Sequence, residues 1–283
     1  MNGQAHALRR FLMGRGTSPG SGGGTTLVVA SGKGGVGTST VAALLALRAA
    51  EEGRSTLLVD AEAGHGTLHL ILGVEPGPGL AALRGGMLTP RDLLVPVVDR
   101  LQLVTAGTGE EELGEPVGPV ERRALLRRIT ELYGAFDVVI VDAGSRLDGV
   151  LAACTAAARH LLLVSAANAI ALAATHALAK VVTARVPALP VSVLVNGCDD
   201  ATAVAAYGVL RSGIWKFIGR MVPFAGSIPE DATLRAAAAA GRPLQEAYFG
   251  SVIAGAVRAL DAGPLFNAVA APNTAGTLKI PQL

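Results

Sequence analysis

From residue 25 onward the chain alternates short, continuous apolar runs rich in β-branched residues with longer stretches of mixed polarity. The runs are TLVVAS (26–31), STLLVD (55–60), LQLVTA (101–106), DVVIVDA (137–143), HLLLVSA (160–166), VSVLVNG (191–197) and RMVPFAG (220–226). A strand with one wet face alternates apolar and polar positions, whereas a strand apolar throughout is covered on both faces, as in a parallel sheet between helices. The pattern predicts a doubly wound, mostly parallel α/β fold with its site at the carboxyl ends of the strands. The longest uncharged segment, LLLVSAANAIALAATHALA (161–179), carries Ser165, Asn168, Thr175 and His176. It reads as a strand followed by an alanine-rich helix and not as a membrane span.

Outside this alternation the pattern changes. Residues 14–24, GRGTSPGSGGG, form a Gly/Ser linker that cannot pack a core. The expected organisation is a docking helix over 1–13, the linker over 14–24, one domain over 25–262 and an irregular tail over 263–283. In the leader, Leu8, Phe11 and Leu12 share a helical face at i, i+3 and i+4, flanked by Arg9 and Arg10. The chain has 283 residues, 51% hydrophobic and 16% charged, which places it among globular proteins. A formal charge of +2 does not argue for nucleic acid. Cys154 and Cys198 form no C-x-x-C pair for zinc or an iron-sulfur cluster and read as buried small residues. With no secretory apolar region near its start, the expectation is a cytoplasmic protein, recruited to a membrane or pole through a partner if at all.

The first apolar run leads into SGKGGVGTST, residues 31–40, and then into a helix expected near Ser39. Strand, glycine-rich loop and helix in this order let backbone N–H groups and the positive end of the helix dipole converge on an anion. Gly32, Gly34, Gly35, Val36 and Gly37 form the loop, Lys33 stands second, and Thr38, Ser39 and Thr40 close it.

These residues resemble the deviant Walker A loop of the MinD/ParA family of P-loop ATPases, whose early lysine reaches across a dimer to the partner's nucleotide. VDAEAGHGTLHLILG (59–73) is similar to that family's first switch, VIVDAGS (139–145) to its Walker B strand and second switch, VLVNG (193–197) to its adenine-contacting strand end, and GSIPEDATLRAAAAAGRPL (226–244) to its closing segment. The resemblance implies ATP or ADP with Mg2+ as ligands, a nucleotide-dependent homodimer, and a catalytic role for Lys33. It implies that Ser39 holds Mg2+ through its hydroxyl, supported by Asp60 and Asp142, since a hard cation takes oxygen ligands. It further implies that Asn196 reads adenine through its amide and that Pro229 and Asp231 wrap the base.

Two positions depart from that pattern. The loop's second lysine is replaced by Thr38, which forfeits a charge-assisted hydrogen bond of about 1.5 to 3 kcal/mol. The catalytic aspartate is matched by Glu62, whose carboxylate is displaced by one methylene, and a shift of ~1 Å can cost on the order of a hundredfold in rate. Together they predict slow or absent turnover: a weak ATPase or a pseudo-ATPase. His65 and His69 stand four apart beside this switch and read as surface histidines.

The leader's GQAHALRRF is similar to the N-terminal motif of the flagellar-number regulators of the MinD type (the FlhG/FleN group), which engages an SRP-type GTPase (FlhF-like). Gln4, Leu8 and Arg9 would be its partner-binding residues, while Gly3 stands where the motif has aspartate. The alternatives are a non-catalytic localisation scaffold for pilus or secretion assembly, or a partition- or division-type ATPase. The terminal AAPNTAGTLKIPQL lacks a basic amphipathic membrane helix, and Arg122, Arg123, Arg127 and Arg128 read as a solvated helix face and not as a DNA contact.

Overall fold

A computed structural model describes residues 25–62, 66–107, 118–249 and 251–260. The leader, the linker and the C-terminal tail lie outside these, and so do Gln4, Leu8, Arg9 and His65. Eight strands form one sheet: β1 (Thr25–Ser31), β2 (Thr56–Asp60), β3 (Leu94–Val98), β4 (Leu101–Val104), β5 (Val138–Asp142), β6 (His160–Ala166), β7 (Val191–Asn196) and β8 (Phe224–Ile228). Their order is β3-β4-β2-β5-β1-β6-β7-β8. Every pairing is parallel except β3 with β4. The first strand therefore sits inside the sheet between β5 and β6, where the winding reverses, and a ligand crevice opens at such a point beyond the carboxyl ends.

The continuous apolar runs bury both faces of each strand, as expected: Leu27 and Val29 enter one core, Val28 and Ala30 the other. The first core is covered by α1 (Thr38–Glu51), α2 (Leu68–Ile71), α7 (Ala232–Ala239), α8 (Leu244–Tyr248) and α9 (Val252–Ala259). The second is covered chiefly by α3 (Pro119–Ile129), α4 (Leu147–Ala156), α5 (Ala169–Arg185) and α6 (Asp200–Ile218). Capping follows the local sequence. Asp199 accepts the Thr202 N–H at the start of α6, and Gly219 ends that helix at φ 68, a left-handed cap that glycine takes without a Cβ penalty. The uncharged 161–179 segment divides into β6 and the start of α5, and among the described residues no helix is long and apolar enough to cross a membrane.

Two elements differ from the pattern-based expectation. The last strand lies at Phe224–Ile228 and not at 220–226, because its partner β7 aligns Asn196 with Ile228 and draws GSI into the sheet. Gly226 holds φ +124 there, with the Leu260 side chain 2.8 Å from where a Cβ would stand, so this strand residue must be glycine. β3 was not foreseen at all, since LVPVV contains Pro96. As an edge strand with a bulge between Pro96 and Val98, it tolerates the missing N–H.

Candidate functional site

β1 delivers the loop to the centre of the sheet's carboxyl edge, and α1 starts at Thr38 with Gly37 as its left-handed cap at φ 88. The loop's glycines answer to specific neighbours. A Cβ on Gly32 would lie 2.2 Å from the Ala174 carbonyl carbon of α5, so the loop's first residue is pressed against that helix. A Cβ on Gly37 would lie 2.4 Å from Asn196 Nδ2, and that same nitrogen donates to the Val36 carbonyl at 2.8 Å. Asn196 thus ties the end of β7 to the loop, using one hydrogen of the amide that the family resemblance assigns to adenine.

Thr38 borders the cavity over the loop, but its hydroxyl is spent within the protein. Its hydroxyl is buried and donates to Ser31 Oγ at 2.8 Å, and Ser31 Oγ donates to the Lys33 carbonyl at 3.0 Å. The substituted position has become a clamp beneath the loop. Ser31 escaped the sequence reading, although a polar residue closing an otherwise apolar strand was the available signal. Lys33 itself is exposed.

Asp60 and Asp142 end neighbouring strands in direct register, 1% and 0% exposed. Asp60 accepts the backbone N–H of Glu62 at 3.3 Å and of Leu68 at 3.2 Å. Asp142 Oδ1 accepts from Gly144 N at 3.0 Å, and the Ser39 hydroxyl also bonds to this carboxylate. Asp142 Oδ2, buried, has no hydrogen-bond partner among the described residues. Burial, and then the proximity of Asp142, push the Asp60 carboxyl up to about 7. Burial likewise raises Asp142 to about 6, against the Ser39 and Gly144 hydrogen bonds that pull the other way. Two buried carboxylates, one oxygen unpartnered and a serine hydroxyl alongside, form an oxygen-donor set that suits a divalent cation.

Two cavities meet at Thr40 and Ile71. One of about 270 Å3 lies over the loop, lined by Gly34, Gly35, Ser39, Glu62, Gly144 and Ser145 among others. The other, about 570 Å3, runs from Asn196 past Pro229 and Asp231 to Arg235 and Arg242. Asp231 lines it while spending Oδ1 on capping α7, at 2.8 Å from Thr233 N and 3.1 Å from Leu234 N. Leu44, Arg235 and Arg242 were not anticipated, since nothing in a helical pattern marks which residues will face a cavity. The described half of the histidine pair, His69, is half-buried, and no group of three or more His, Cys, Asp or Glu side chains suited to a metal occurs among the described residues.

The arginine cluster corrects another expectation. Arg122 is buried at 8% exposure and Arg128 donates to the Leu83 carbonyl, so two of the four arginines serve the fold of α3 and not a solvated face. Cys154 is buried as expected, whereas Cys198 is half-buried.

A model of the ParA family, described as NUBPL iron-transfer P-loop NTPase, matches residues 24–261. Among curated proteins the chain is similar to the antiactivator FleN of Pseudomonas aeruginosa, 26% identical over 78% of this chain and 79% of that protein. It is also similar to the septum site-determining protein MinD of Thermotoga maritima, 28% identical over 50% of this chain and 52% of that one. Among solved structures, MinD of Pyrococcus horikoshii complexed with Mg-ADP superposes with a TM-score of 0.68 at 23% identity, covering 83% of this chain and 93% of that chain.

Proposed function

We propose that this chain, which belongs to the ParA family of P-loop NTPases, is a nucleotide-responsive switch that sets the number or placement of bacterial flagella and turns ATP over slowly or not at all. The observation that carries the reading is the fate of Thr38. The loop keeps its glycines, its left-handed turn at Gly37 and its place on α1, yet the side chain at the lysine position is folded under it to hold Ser31. Phosphate is then held by backbone N–H groups and the helix dipole, which suffice for binding. Charge developing on a departing phosphoryl group, by contrast, finds no lysine at position 38 to stabilise it.

Ser39, Asp142 and Asp60 are the residues that would hold Mg2+, and the unpartnered Asp142 oxygen supports this. When bound, the cation neutralises phosphate oxygens and fixes their position. Gly32 to Thr40 would take the phosphates. Asn196, Pro229 and Asp231 border the larger cavity, which is of a size for a nucleoside. Lys33, exposed on the loop, would act outside its own subunit, in a nucleotide-dependent homodimer.

The flagellar assignment draws on the FleN likeness and on the leader's motif, through which Gln4, Leu8 and Arg9 would engage an SRP-type GTPase. The partition reading loses support because Arg122 and Arg128 are committed internally. The iron-transfer description in the family's name is not extended to this chain, whose two cysteines form no pair of ligands.

Titration calorimetry of ATP and ADP with Mg2+ tests the nucleotide reading, with Thr38→Lys alongside. Micromolar binding by the wild type, strengthened about tenfold by the substitution, is the expected result. Binding by Thr38→Lys alone would make the native loop incompetent. Phosphate release at a rate of ordinary P-loop ATPases, abolished by Ser39→Ala, would refute slow turnover. Flagellar counts by electron microscopy in a deletion strain, restored by the full chain but not by Leu8→Asp, test the biological role.

A further inference from the structure

Beyond the second switch the chain carries charge of nearly one sign. Between Asp148 and Glu230 stand six cationic side chains, Arg159, Lys180, Arg185, Arg211, Lys216 and Arg220, against two acidic ones, Asp199 and Asp200. The topology sorts them. β6, β7 and β8 run parallel, so the helices between them return to the sheet's amino edge. Arg185 in the last turn of α5, Lys216 in the last turn of α6 and Arg159 just before β6 all arrive there. Arg220 follows the Gly219 cap at the same edge. The two aspartates sit at the other end of α6, where Asp199 caps the helix and Asp200 accepts the Ser227 hydroxyl. None of the six cations forms an ion pair among the described residues.

The helix dipole accounts for cations in a last turn, but not for their neighbours. Trp215, Phe217 and Met221 are 58%, 65% and 61% exposed at the same end of α6. The His176 ring meets Phe217 edge-on at 5.7 Å, and Lys216 Nζ lies 5.4 Å from its centroid, so the ring is steadied while most of it faces solvent. The nucleotide loop follows β1 at the opposite edge, a strand's length of about 20 Å away, so this patch has no part in that site. An apolar patch fringed with cations suits possible partners unequally. A second copy seated on it would set each cation against its counterpart. Duplex phosphates would use the cations and leave the three apolar side chains in water. An anionic bilayer takes both, burying the rings at the headgroup boundary while the lysine and arginines reach the phosphates. We propose that the amino edge at the end of α6 docks on an anionic lipid bilayer, with Trp215, Phe217 and Met221 inserted and Arg185, Lys216 and Arg220 on the headgroups. The contact is peripheral, and it needs neither a spanning helix nor an amphipathic tail.

Trp215 is the chain's only tryptophan, so its emission reports on this patch alone. The full chain is titrated with vesicles of equimolar phosphatidylglycerol and phosphatidylcholine, following emission, iodide quenching and flotation. The expected result is flotation with a blue-shifted emission shielded from iodide, and at least about tenfold weaker partition into pure phosphatidylcholine. Lys216→Ala combined with Arg220→Ala should weaken partition on the order of thirtyfold, about fivefold for each cation at an anionic surface. Phe217→Ser combined with Met221→Ser keeps the reporter and should weaken it at least about tenfold. These positions are not buried, so the melting temperatures of both variants should match the wild type; if either is unstable, the wild-type emission still decides. Absence of a shift on anionic vesicles would overturn the proposal. So would flotation with unshifted emission, which would mean docking through another surface such as the leader. Equal partition into neutral vesicles, or a stronger emission response to duplex DNA than to anionic vesicles, would overturn it as well.

Discussion

At position 38 a cation has been exchanged for a contact. Thr38 Oγ1 is buried, and removing it leaves the Ser31 hydroxyl, 0% exposed, short of a donor. A buried hydroxyl pair of this kind contributes about 1 kcal/mol net. Thr38→Val should therefore lower the melting temperature by about 2–4 °C for a domain of this size, and Thr38→Ser should hold it near the wild type. Differential scanning calorimetry of the two variants separates a clamp from a spectator. The aspartate pair gives a second expectation. Ordinary aspartate carboxyls titrate near 3.8, but here Asp60 is raised to about 7 and Asp142 to about 6. Between those limits the folded chain binds protons that the unfolded chain has released, so stability falls as pH rises through the window. Mg2+ should accordingly stabilise the protein more at about pH 8 than at about pH 5, and Asp142→Asn should raise the ligand-free melting temperature at the higher pH. Thermal melts with and without Mg2+ at the two pH values decide it; equal shifts would mean that the pair does not receive the cation.

Elements in the middle of the sheet were legible because burial on both faces leaves an unbroken apolar run, and β1, β2, β5, β6 and β7 lie within two residues of their expected bounds. The edges were less legible. β3 hides behind Pro96, and β8 takes its register from β7 and not from its own composition, so local sequence could not place either. The loop shows the same division. Its glycine spacing marks a strand-to-helix turn, but not what each glycine is for. Gly32 has no room, with the Ala174 backbone 2.2 Å from a would-be Cβ, whereas Gly35 has a positive φ of +79 and open space around it. Gly35→Ala should thus cost on the order of 1 kcal/mol through backbone strain alone. Gly32→Ala must push the loop away from α5, costing several times more and abolishing nucleotide binding. Urea melts and calorimetry on the pair check this, and similar costs for the two would show that the loop does not lean on α5.

Across the whole molecule, two buried titrating sites share one sheet and pull stability in opposite directions. His160, at the start of β6, is 2% exposed and shares a hydrogen bond with Ser192 at 2.9 Å, while its Nδ1 has no partner among the described residues. Burial lowers it to about 4 from an ordinary 6.5. The unfolded chain then binds a proton that the folded chain refuses, so this residue stabilises the fold above pH 6.5 and loses that contribution as pH falls toward 4. A shift of that size corresponds to on the order of 3 kcal/mol. The aspartates act in the reverse sense over nearly the same range, since they favour the fold when protonated. Asp142 and His160 are separated by β1, about 10 Å by two strand spacings, so their contributions should add. In the wild type without cation the aspartate pair outweighs the histidine, so stability still falls as pH rises and the histidine is masked. Asp60→Asn combined with Asp142→Asn should uncover it, giving a stability that climbs steadily from about pH 4 to 6.5 in urea titrations. Adding His160→Leu should flatten that climb. A slope that persists without the histidine would place the acid-sensitive group elsewhere in the fold.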